Sequence, residues 1–196
     1  MKNVVFIVSH LHSGSNSLIQ TLNENPRVHI QNTKLAYNHP DVLRNLFSLG
    51  HKLDDSSAVF GDHILFNTDF SSNVFYDYAK FIYVVRDGRS TLESILSDER
   101  LNYDLDKAVL YYSFRLRRMY EMATRTPKSI FLNYKQMYEE DNLKAIESYL
   151  DLKEPLKGRE VEFADFKLSR SQTDRCQEVF EKYLFKFKNL NLGTQI

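Results

Sequence analysis

The chain has 196 residues, 26 basic and 26 acidic, and 42% of them are hydrophobic. That is the length of one domain, 1–196, with material for a core, and the balanced charge weighs against a nucleic-acid coat or a polybasic membrane binder. The single cysteine, Cys176, has no internal disulfide partner and suits a reducing compartment, while the N-terminal apolar run is too short for a leader core or a membrane span, so a cytoplasmic protein with no nucleic-acid or membrane partner is expected.

In chain order, Val4 to Val8 reads as a short strand buried on both faces. Leu18, Ile19 and Leu22 give the next segment an apolar helical face, and Asn25-Pro26 stops it. Arg27 to Ile30 is a short second strand, and Pro40 opens a helix over 40–49. Ala58 to Phe66 is strand-like, with Gly61 as a point for a kink, and Phe81 to Arg86 is a second clear buried strand. Ser90 and Glu93 spell a capping box for the helix carrying Leu92, Ile95 and Leu96. A longer helix over 104–125 carries a stripe from Leu105 through Tyr112 and Leu116 to Ala123, at 4-3-4-3-4 spacing, and Pro127 ends it. Ser129 to Tyr134 is a further strand, and two helices make the part from about 140 mainly helical. Strands alternating with helices predict an α/β fold, a central parallel sheet with helices on both faces.

In such a sheet, ligands bind beyond the carboxyl ends of the strands. The first strand runs into His12-Ser13-Gly14-Ser15-Asn16-Ser17-Leu18. A glycine there lets a backbone approach an anion, hydroxyl and amide groups add donors, and the following helix offers free N–H groups and the positive end of its dipole. The same residues also suit an ordinary capped turn. The second clear strand ends in Arg86, with Ser94 eight positions on in the next helix. Arg86 can fork onto a phosphate and Ser94 can add a bond; the alternative is that Arg86 pairs with Asp87 and Ser94 faces solvent.

Taken together, the Ser/Gly loop after the first strand and the Y-V-V-R-D-x-R-x(4)-S pattern at the later one resemble the sulfotransferases that use 3′-phosphoadenosine 5′-phosphosulfate (PAPS). The stretch from Phe131 to Leu152 is also similar to that family's later strand, turn and helix, so the resemblance runs from residue 4 to about 152. It implies a P-loop-like three-layer sandwich. It also implies PAPS as co-substrate, 3′-phosphoadenosine 5′-phosphate (PAP) as product, and sulfuryl transfer to a hydroxyl or amine of a small molecule or carbohydrate. Ser13, Gly14, Ser15, Asn16 and Ser17 would then bind the 5′-phosphosulfate end, and Arg86 with Ser94 the 3′-phosphate.

Sulfuryl transfer asks for in-line positioning, charge stabilisation and a base for the acceptor's proton. All six histidines lie in the first 63 residues. His12 stands where the family places Lys or Arg, and would supply the cation only when protonated, its pKa raised by bound anions. His63 is the first choice for base or sulfonate contact, with Asp62 the alternative and a polar strand residue the plain reading. His39 and His51 read as surface residues. Arg115, Arg117 and Arg118 read as a solvated helix face or, more sharply, as contacts to an anionic ligand. Lys157 and Arg159 are faintly similar to the family's basic loop over the nucleotide.

Other functions stay open at this point. One is a nucleotide-binding protein of the same fold without catalysis. A P-loop kinase lacks its G-x(4)-G-K-[ST] signature. A metal hydrolase would draw on His10, His12, His63 and Asp62, but its cation would face the helix amides. No metal is expected. Residues 31–57 are expected to line the acceptor pocket without naming its chemistry.

Overall fold

A computed structural model of the chain describes residues 3–35, 59–65, 79–126, 128–160 and 167–190. The expected helix over 40–49, His39, His51, Pro127 and most of the 31–57 acceptor segment lie outside these residues. Among the described residues there are five strands: β1 (Asn3–Ser9), β2 (Val28–Leu35), β3 (Val59–Ile64), β4 (Lys80–Val85) and β5 (Ser129–Asn133). They form one parallel sheet in the order β2-β3-β1-β4-β5.

The helices are α1 (Ser15–Asn23), α2 (Gly88–Leu96), α3 (Leu105–Ala123), α4 (Glu140–Leu150) and α5 (Arg170–Lys188). Side-chain alternation along the strands decides which helix meets which face. Val5, Ile7, Ile82 and Val84 point to α1 and α4, where they meet Leu18, Leu22, Ile146 and Leu150. Phe6, Val8, Phe81 and Tyr83 point the other way, to α2, α3 and α5. The result is the three-layer α/β sandwich expected. Each fully buried Leu or Ile of these two cores contributes about 1.5–3 kcal/mol by leaving water.

Helix α3 buries the residues of its 3.6-period stripe from Val109 through Tyr112, Leu116 and Met119 to Ala123, with Leu105 half-buried at its start. Gly88 opens α2 where it crosses α5; a Cβ there would sit 2.3 Å from the Cys176 carbonyl oxygen. Gly61 does not break β3, which stays paired with β1 through it. β2 is longer than the sequence indicates, running to Leu35, with a register shift against β3 between Gln31 and Leu35.

The capping box expected at Ser90 and Glu93 does not form. Asp87 caps α2 instead, accepting from the Ser90 backbone N–H at 3.0 Å and from its hydroxyl at 2.8 Å. Ser90 thus sits one turn inside the helix. Glu93 reaches away to the Lys167 and Leu168 N–H groups at 2.6 and 3.1 Å. A carboxylate two residues after the strand outcompetes a hydroxyl for a helix N-terminus, because the dipole favours a full negative charge there. Among the described residues, no helix is long and apolar enough to cross a membrane.

Candidate functional site

β1 lies at the centre of the sheet, and the chain places β3 on one side of it and β4 on the other. This change of winding direction leaves a crevice beyond the carboxyl ends of β3, β1 and β4. Ser9, His63 and Arg86 mark those three ends, and the residues of the first loop, His63, Arg86 and Ser94 gather there.

At the end of β1 the loop folds over Gly14, which takes a left-handed conformation (φ 84°) as the N-cap of α1. A Cβ at this position would fall 2.0 Å from the Tyr134 ring, so the position requires glycine on two counts. The N-cap glycine has no side chain to cap α1, the first turn holds no acidic residue, and the Ser15 N–H meets only Ser13 Oγ, at a long 3.4 Å. The N-terminal amides of α1 therefore keep the positive character that suits an anion.

The side chains of this loop are tied together. Ser9 Oγ donates to Ser15 Oγ at 2.9 Å, Ser13 Oγ to the same oxygen at 3.2 Å, and His63 Nε2 lies 2.7 Å from Ser9 Oγ and 3.0 Å from Ser15 Oγ. The other ring nitrogen, His63 Nδ1, meets Asn32 Oδ1 at 2.9 Å, and Asn32 Nδ2 donates to Asn16 Oδ1 at 3.1 Å. With Asn32 oriented this way, Nδ1 carries the proton and Nε2 accepts from the Ser15 hydroxyl, since Ser9 and Ser13 spend their protons on Ser15. Asn32 lies in the stretch where β2 slips register against β3, a local distortion of the kind that re-aims a side chain. Ser17 Oγ bonds the Tyr138 hydroxyl at 2.7 Å.

Asp62 does not join this network. It has the strand parity of Phe60 and Ile64, which face α3, so the sheet separates it from His63. Its Oδ1 accepts from the His63 backbone N–H at 2.7 Å, and both residues are buried.

At the end of β4, Arg86 is half-buried. Its Nη1 donates to the His12 carbonyl at 3.1 Å, and its guanidinium lies over the Tyr134 ring, 4.7 Å from the centroid. Its Nε is buried without a hydrogen-bond partner among the described residues. Asp87 is engaged in capping α2 and pairs with Lys135 at 3.6 Å, so it is not the counter-ion the sequence allowed for Arg86. Ser94 does not simply face solvent: its Oγ lies 3.0 Å from His12 Nδ1. Tyr134, read in the sequence only as the end of a strand, touches both regions through Gly14 and Arg86.

Two histidines of the first loop behave differently. His10 is fully buried; its Nδ1 bonds the Leu11 carbonyl at 2.8 Å and its Nε2 accepts from the Arg86 N–H at 3.0 Å. Burial, reinforced by Arg115 and Arg86, pushes its pKa down to about 3. It is a neutral strut between the two strand ends, with both ring nitrogens committed, and offers nothing to a metal. Among the described residues no group of three His, Cys, Asp or Glu side chains could hold a metal ion. His12 takes a left-handed backbone (φ 58°) and its Nε2 lies 3.4 Å from Asp98 Oδ2. Burial lowers its pKa, as does Arg86, while Asp98 opposes them. In the free protein, then, its shift runs opposite to the one expected with anions bound.

Helix α3 holds this assembly from beneath, a role the sequence did not show. Tyr111 accepts from the Leu11 N–H at 2.8 Å, Tyr112 donates to the Arg86 carbonyl at 2.7 Å, and Arg115 donates to the carbonyls of Ser9 at 2.9 Å and Ile64 at 3.2 Å. The solvated face expected for Arg115 is thus incorrect: it is buried, and burial brings its pKa down to about 10. Its signal was present, because Arg115 stands three residues after Tyr112 and four before Met119, on the buried stripe. Arg117 and Arg118 are exposed and pair with Glu121. Arg159 pairs with Gln20 and Glu24 on the outer side of α1, and Lys157 is exposed.

No family model matches the chain, and no curated protein matches it. Among solved structures it is similar to mouse sulfotransferase SULT7A1 complexed with PAP, at 14% identity and a TM-score of 0.54, over 95% of this chain and 66% of that one. It is also similar to retinol dehydratase in a complex with retinol and PAP, at 16% identity and a TM-score of 0.44, over 96% of this chain and 67% of that one. The chain spans about two thirds of the length of these structures. The likeness to the mouse enzyme shows a shared fold.

Proposed function

We propose that the chain binds a bisphosphate nucleotide and transfers a sulfuryl group from PAPS to a hydroxyl or amine acceptor. The observation that carries this reading is the pairing of two anion-suited strand ends in one crevice. The Gly14 loop at the start of α1 and the Arg86–Ser94 pair at β4 stand on adjacent strands, joined by the Arg86–His12 bond at 3.1 Å. A nucleotide with phosphates at both 3′ and 5′ positions needs two such sites at fixed separation. The PAP named with the mouse sulfotransferase of similar fold supports the same ligand.

In this mechanism, α1 amides and the Ser13–Ser17 loop neutralise charge on the phosphosulfate as its bridging bond breaks. Arg86 and Ser94 fix the 3′-phosphate and so the register of the whole nucleotide. His63 Nε2, already poised to accept a proton from a hydroxyl, is the proposed base. An acceptor hydroxyl reaches it by replacing Ser15 as its donor. Asp62 lies on the other face of the sheet and is the weaker candidate for base.

Thermal denaturation with and without saturating PAP tests the binding step. A rise of several degrees is expected, and no rise overturns the reading. Transfer of labelled sulfate from PAPS to a panel of phenols, alcohols, amines and sugars tests the chemistry. A second reading, nucleotide binding without transfer, is favoured by the way both His63 and Ser15 are occupied with each other. Binding without transfer to any acceptor in the panel would establish it.

A further inference from the structure

The resemblance puts His12 beside the 5′-phosphosulfate, in place of a lysine or arginine. The geometry puts its ring elsewhere. A left-handed backbone at His12 turns the side chain out of the first loop toward the C-terminal end of α2, where it lies 3.0 Å from Ser94 and 3.4 Å from Asp98. Its own carbonyl holds the Arg86 guanidinium at 3.1 Å. We propose that His12 is a third ligand of the second anion site, binding the 3′-phosphate with Arg86 and Ser94, with Asp98 orienting it. This rests on the nucleotide reading above and assigns a residue within it.

The hydrogen-bond pattern explains how one ring serves both states. Without an anion, Nε2–H faces the Asp98 carboxylate and Nδ1 accepts the Ser94 hydroxyl proton, as neutral imidazole requires. The other charged or titratable groups around the ring are Arg86 at the tip of β4, Arg100 beyond α2 and His10 in the same loop. Arg100 bonds Asp98 and holds that carboxyl at about 2, so Asp98 stays ionised across the working range.

When a phosphate arrives, Ser94 and the Arg86 guanidinium donate to it. An Nδ1 lone pair facing an anion would be repelled. Protonated Nδ1 instead donates a charge-assisted bond, with Asp98 as counter-ion on the opposite nitrogen. Binding of the 3′-phosphate therefore takes up a proton at His12, and a ligand carrying only a 5′-phosphate does not call for it. In the free protein burial and Arg86 favour neutral imidazole, which is the starting state this coupling needs.

Calorimetric titration of the full chain with PAP and with AMP, which lacks the 3′-phosphate, tests the assignment. It is run near neutral pH in two buffers of unlike ionisation enthalpy. Wild type is expected to take up more protons than His12→Asn on binding PAP, by up to about one, with no such difference for AMP. Asparagine tolerates the left-handed backbone, and its loss of PAP affinity is expected to be about tenfold, with AMP affinity unchanged within twofold. In the unmodified protein, the His12 imidazole resonance should titrate at higher pH with PAP bound than with AMP bound, a readout that does not depend on the variant folding. Equal loss for both nucleotides would return His12 to the first loop and overturn the proposal, as would no loss for either. If wild type binds neither nucleotide, the nucleotide reading falls and this one with it; if it binds PAP without the His12 signature, only this one falls.

Discussion

At the end of β1 the hydroxyls of Ser9, Ser13 and Ser15 are spent on one another and on His63, whereas at the end of β4 the Arg86 guanidinium keeps a buried Nε–H without a partner among the described residues. The first region offers an anion chiefly what the backbone supplies, the amides at the start of α1. Its side chains must release their mutual bonds before they can help. The second holds a permanent charge already oriented by the His12 carbonyl and the Tyr134 ring. Affinity should therefore come mainly from β4–α2, and alignment of the reacting group from β1–α1.

Gly14→Ala should give the largest effect. A methyl group would strain a left-handed residue and meet the Tyr134 ring at 2.0 Å. We expect a loss of about 3 kcal/mol in urea unfolding. If the ring is the main obstacle, Tyr134→Ala in the same chain restores part of that loss. No restoration would mean that backbone strain alone sets the cost. Arg86→Ala comes next, with PAP affinity falling about a hundredfold by calorimetry. Arg86→Lys should recover little of it, because an ammonium cannot bond the His12 carbonyl and fork onto a phosphate at once. Full recovery with lysine would reduce the second region to a point charge.

His10 bridges the two regions, and acid tests it. Unfolded, its imidazole titrates near 6.5; folded, burial holds it at about 3. The unfolded state thus binds the extra proton between those values. The stabilisation is complete above 6.5 and is lost as pH falls toward 3. Between pH 7.5 and 5 the term amounts to about 2 kcal/mol, measurable as a falling urea midpoint. His10→Gln, which can still accept the Arg86 N–H, should flatten that part of the profile. A wild-type profile already flat over this range would show that His10 is not the acid-sensitive link.

The parts visible in the sequence are those fixed by local pattern. Strand hydrophobicity, the helical stripe of α3 and the eight-residue step from Arg86 to Ser94 depend only on neighbours along the chain. What stayed hidden depends on contacts between distant elements. Arg115 reads as one of three surface arginines until the carbonyls of Ser9 and Ile64 are seen above it. Ser90 and Glu93 match a capping box, yet the preceding Asp87 takes the cap. The true box lies at Ser169 and Gln172, where no carboxylate competes. Asn32 has no local signal at all; its meeting with His63 comes from a register slip in β2.

Asn32 also gives the finest test of the first region, since it fixes which His63 nitrogen carries the proton. Asn32→Ala removes one hydrogen bond to a buried ring and should cost about 1 kcal/mol of stability, with PAP affinity unchanged within twofold. Asn32→Asp puts a carboxylate against Nδ1–H and raises the basicity of the ring. If His63 takes the acceptor's proton, the acid limb of the pH–rate profile for sulfate transfer moves to higher pH in Asn32→Asp, because a more basic imidazole needs a higher pH to be free for proton transfer. If His63 only braces Ser15, stability changes and the limb stays in place. The second result would leave proton removal to another group and make the first region a scaffold for alignment alone.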